Sequence, residues 1–94
     1  MLSELPTFER RLSASRVLFY SLIKTEAVCL KSERFPYAYS ILIIETEEGA
    51  VTDSTVLYDV SRVSSEGAKI TERLAQCGVT PLNAKRTVSS IIGE

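Results

Sequence analysis

Proton chemistry near neutral pH usually runs through histidine, and this chain has none. Ser-His and Cys-His nucleophile pairs and histidine-containing zinc sites are therefore excluded. The acids offer two pairs, Glu45 with Glu47 and Asp53 with Asp59. Paired carboxylates do acid–base work only when one of them is desolvated. Glu45 and Glu47 stand beside Glu48-Gly49, a hairpin-turn dipeptide where water is plentiful, so we read them as a solvated edge. Glycines 49, 67, 78 and 93 are scattered singly, which leaves no phosphate-cradling loop. Cys29 and Cys77 form no C-x-x-C pair. They read as two partly buried small side chains, with a disulfide as the alternative. Neither a cofactor nor a metal nor a small-molecule substrate is implied.

Two patterns point toward nucleic acid. Tyr20, Tyr37, Tyr39 and Tyr58 could form a base-stacking platform, but such a platform needs a basic rim, and the strands carry Lys24 alone after Arg16. Packing of these tyrosines under helices is the better reading. The segment 66–92 reads as helix, glycine turn, helix, and its second helix opens with Thr80, Asn83, Lys85 and Arg86, which could meet phosphates or base edges. Close crossing of such helices wants a small residue four positions before the turn glycine, and that position is Leu74, with Ala75 one place late.

The elements that would hold these residues follow from hydrophobic period. Residues 1–7 have little pattern and read as loosely ordered, and TFERRLSA around Phe8 and Leu12 fits a short strand or a single helical turn. Residues 16–25 (RVLFYSLIKT) predict a strand apolar on both faces, hence central or covered on both sides. Residues 26–36 read as a connection. In residues 37–47, Tyr37, Tyr39, Ile41 and Ile43 share one face, and Ala38, Ser40, Leu42 and Ile44 share the other. A returning strand near 51–60 alternates Val56, Tyr58 and Val60 with Thr55, Leu57 and Asp59.

Near Ser61 the period changes. Ser61 and Ser64 are candidate N-caps, and Val63, Gly67, Ile70, Leu74 and Cys77 lay one stripe along a helix that Gly78 closes. Cys77 then lies at a helix C-terminus, where the dipole disfavours a thiolate. Thr80-Pro81 starts a second helix with Leu82, Ala84, Val88, Ile91 and Ile92 on its buried side. The expectation is a single α+β domain: an antiparallel meander of three to four strands over about residues 8–60, then helices at about 62–77 and 81–92 packed on one face.

The order of these motifs resembles a small family of proteins from clostridial and related Gram-positive gut bacteria that carries a domain of unknown function. The matching pieces are FYSLIK at 19–24, Tyr39 to Ile41, Asp59-Val60-Ser61 and Val79-Thr80-Pro81, together spanning residues 17–92. Members often show Tyr-Gly-Ile where this chain has Tyr39-Ser40-Ile41, and an acid late in the last helix where it has Ser89-Ser90. The resemblance implies strands followed by two helices, and no activity.

Composition and charge bound the rest. Hydrophobic residues make up 45% of the 94, enough for a core, and the longest apolar run, Ile41 to Ile44, is far short of a membrane span. The N-terminus lacks the basic-then-apolar order of a secretory signal, which predicts a cytoplasmic protein. Net charge is −1, with five acids and no base in residues 45–59. That acidic island reads as a solvated turn, and nothing global selects a polyanion. The function expected is a non-enzymatic module that interacts with protein, itself or another, through an open sheet face or edge. The alternative is a small DNA-binding regulator using 66–92. An enzyme working through carboxylates or Cys77 would need a deep pocket with at least two convergent ionisable groups.

Overall fold

The computed structural model describes residues 5–27 and 37–84. Four strands, β1 (Thr7–Arg11), β2 (Arg16–Glu26), β3 (Tyr37–Glu47) and β4 (Ala50–Ser61), precede helix α1 (Ser64–Cys77). Residues 81–84 begin a second helical segment, starting at Pro81 as its fixed φ and missing N–H favour. The sheet is an antiparallel meander in the order β1-β2-β3-β4. The chain is thus α+β, with four strands followed by helices. Most of the 26–36 connection and the end of the second helix lie outside the described residues.

Pairing of β2 with β3 is unbroken from Arg16 opposite Glu47 to Glu26 opposite Tyr37. Paired residues share a face. Leu18, Tyr20 and Leu22 therefore join Ile41 and Ile43 on the side that α1 covers, and all five are buried. Glu48 (φ 52°) and Gly49 (φ 82°) are both left-handed, which makes a type I′ turn between Glu47 and Ala50. The Glu48 N–H donates to the Ser15 carbonyl at 2.8 Å, tying this turn to the β1–β2 connection.

Strict alternation fails in β4. Ile41 faces Leu57 and Tyr39 faces Ser61, so four steps of β4 span two of β3. Asp59 takes the left-handed conformation there (φ 56°), and its N–H donates to the buried Ser40 hydroxyl at 3.2 Å. This bulge turns both Leu57 and Val60 into the core, where simple alternation had placed them on opposite faces. A second irregularity lies between Glu45 and Thr46.

The start of α1 also differs from expectation. Its N-cap is Val63, in extended geometry and with no side-chain cap, while Ser64 is already helical. Ser61 ends β4, and its hydroxyl is occupied by Val63, accepting from its N–H at 3.0 Å and donating to its carbonyl at 3.1 Å. The buried side of the helix is Gly67, Ile70, Thr71, Leu74 and Ala75. Val63 is exposed because it precedes the helix, and Cys77 because it stands about 90° around the axis from the middle of that side. Cys77 is a free thiol, not a buried hydrophobe.

The C-terminus of α1 is locked three ways. Gly78 (φ 64°) donates its N–H to the Ala75 carbonyl and Val79 donates to that of Leu74, the two bonds of a Schellman motif. From β1, the Arg10 guanidinium donates to the Gln76 carbonyl at 2.6 Å and to that of Ala75 at 3.4 Å, where the helix dipole is negative. Tyr20 Oη, buried in the middle of β2, donates to the Val79 carbonyl at 2.7 Å.

Candidate interaction surface

Alternation that sends Leu18, Tyr20 and Leu22 under α1 sends Val17, Phe19, Ser21 and Ile23 to the opposite side of the sheet. The β2–β3 register puts Thr46, Ile44, Leu42 and Ser40 across from them, and β4 contributes Ser54 and Val56. Val17, Phe19, Ile23, Leu42, Ile44 and Val56 are each only partly covered. Together they form an apolar belt across three strands. Polar positions between them are Ser and Thr, and the face carries its charge at the β1 margin, with Glu9 beside Phe19 and Arg11 beside Val17. One end of this face is covered, since Ala38 and Ser40 are 1% and 0% exposed, and the belt is the part that remains partly exposed, where a solvated face of an antiparallel sheet is normally polar. Next along β4, Tyr58 is 55% exposed, a large amphipathic side chain at the margin of the belt.

Both sheet edges are blunted. β1 is five residues long and bears Glu9, Arg10 and Arg11, while β4 keeps an unbroken register with β3 only between its two bulges. Short, charged or bulged edges resist addition of another strand, which leaves the face as the better docking surface.

The tyrosines divide rather than forming a platform. Tyr20 is buried under the helix, Tyr39 packs near Gly67, and Tyr37 is 56% exposed with the Lys24 ammonium 5.3 Å from its ring centre. Packing under helices therefore holds for Tyr20 and Tyr39 and not for Tyr37 or Tyr58. Burial raises the Tyr20 phenol to about 12, with the nearby Arg10 charge opposing.

Of the residues that could meet phosphates, Thr80 and Asn83 flank the start of the second helical segment. Asn83 Nδ2 donates to Thr80 Oγ1 at 3.3 Å, and its backbone N–H donates to the Thr80 carbonyl at 3.1 Å. Lys85 and Arg86 lie outside the described residues, as does Cys29. Leu82, expected on the buried side, is 87% exposed, while Pro81 and Ala84 are buried. Packing of this first turn through Pro81 and Ala84 turns Leu82 outward.

Glu45 does not stand in open water. It pairs with Arg16 at 2.9 Å and faces Asp53 across the strands, whereas Asp59 belongs to the separate bulge. Among the described residues no group of three or more acids or cysteines is placed to hold a metal ion. A shallow, open hollow of about 290 Å³ lies between β1 and α1, lined by Phe8, Glu9, Arg10, Glu72, Ala75 and Gln76. Among the described residues no helix is long and apolar enough to cross a membrane.

Comparison of the chain with protein-family models, with curated proteins and with solved structures finds no match.

Proposed function

We propose that this chain is a small, non-enzymatic, cytoplasmic protein-interaction module that docks through the face of its sheet opposite α1. The observation that carries the reading is the belt of Val17, Phe19, Ile23, Leu42, Ile44 and Val56, partly exposed on a face without central charge. Contiguous apolar surface of this kind is costly to leave in water, and proteins keep it mainly where something binds. Tyr58 supplies the kind of side chain that anchors protein interfaces. Membership of the clostridial family with a domain of unknown function is compatible with this and adds no activity of its own.

The reading is tested by placing a photo-cross-linking amino acid at Leu42 on this face and, separately, at Lys69 on the exposed side of α1, in cells that make the protein. Discrete protein adducts from position 42 and none from 69 are expected. Equal or absent adducts at both would remove its basis.

A further inference from the structure

We draw no further inference here: the strongest candidate, the apolar belt around Phe19, Leu42 and Ile44 on the sheet face opposite α1, belongs to the site already described, and nothing among the described residues shows what covers it.

Discussion

Tyr20 is a residue whose position could be read from period two and whose partner could not. Its place in β2 follows from alternation with Leu18 and Leu22, but the carbonyl it meets belongs to Val79, 59 residues away. Replacing it with Phe keeps the ring and strands that buried carbonyl without its donor, which should cost about 1 to 2 kcal/mol in urea unfolding. The same group gives a pH signature. Burial raises its pKa from 10.0 to about 12 in the folded chain. Below pH 10 both folded and unfolded chains keep the proton. Between 10 and 12 the unfolded chain releases it and the folded chain does not, so stability falls as pH rises through that window. Melts from pH 9 to 12 should show a steeper decline for the native sequence than for Tyr20→Phe. Glu48 makes the complementary case at the turn. A non-glycine residue at φ 52° carries backbone strain, so Glu48→Asn, giving Asn-Gly in a type I′ turn, should stabilise the hairpin by about 0.5 to 1 kcal/mol in the same assay.

At the scale of elements, α1 reaches the sheet through a glycine. A Cβ on Gly67 would stand 2.9 Å from Leu22 Cδ1 and 3.3 Å from Cδ2, and Leu22 is itself buried. Gly67→Ala gains helix propensity of about 1 kcal/mol yet forces Leu22 to repack at about 1 to 3 kcal/mol. We expect net destabilisation near 1 kcal/mol, and a stabilised variant would show that Leu22 moves freely. The far end of the helix should be sensitive to Arg10→Ala, which removes a cationic donor from the last carbonyls and should lower stability by about 1 kcal/mol. The strands and the helix were legible because apolar spacing reports them directly. The cap was not. Serine hydroxyls at 61 and 64 satisfy the composition rule equally, and the last bulge of β4 decided that Ser61 ends a strand and Val63 opens the helix. Asp59 was the available signal, since Asp tolerates left-handed backbone better than most residues, but one such residue cannot announce a two-residue slip.

For the whole molecule, the two sides of β3 give the sharpest contrast. Ile43→Lys buries a charge against Tyr20 and should abolish cooperative unfolding in thermal melts, whereas Leu42→Lys, one residue earlier, should change monomer stability by no more than about 1 kcal/mol. A filter-binding assay at low salt should detect no salt-sensitive DNA affinity, in native chain or in the Lys85→Ala/Arg86→Ala variant; a salt-dependent complex lost in that variant would restore the regulator reading. The residues alone determined four things: strands precede helices, the strongest strands carry two apolar faces, a turn falls at Glu48-Gly49, and histidine chemistry is excluded. Each depends on local spacing or on the mere presence of a side-chain type. Folding decided which of the two apolar faces α1 covers, because the helix can lie on only one side of the sheet, and Gly67 and Arg10 favour the side of Leu22. It likewise separated Tyr20 from Tyr58, and Glu45 from Asp59, since the neighbours of a side chain across a sheet are set by register, and register depends on bulges that no single strand encodes.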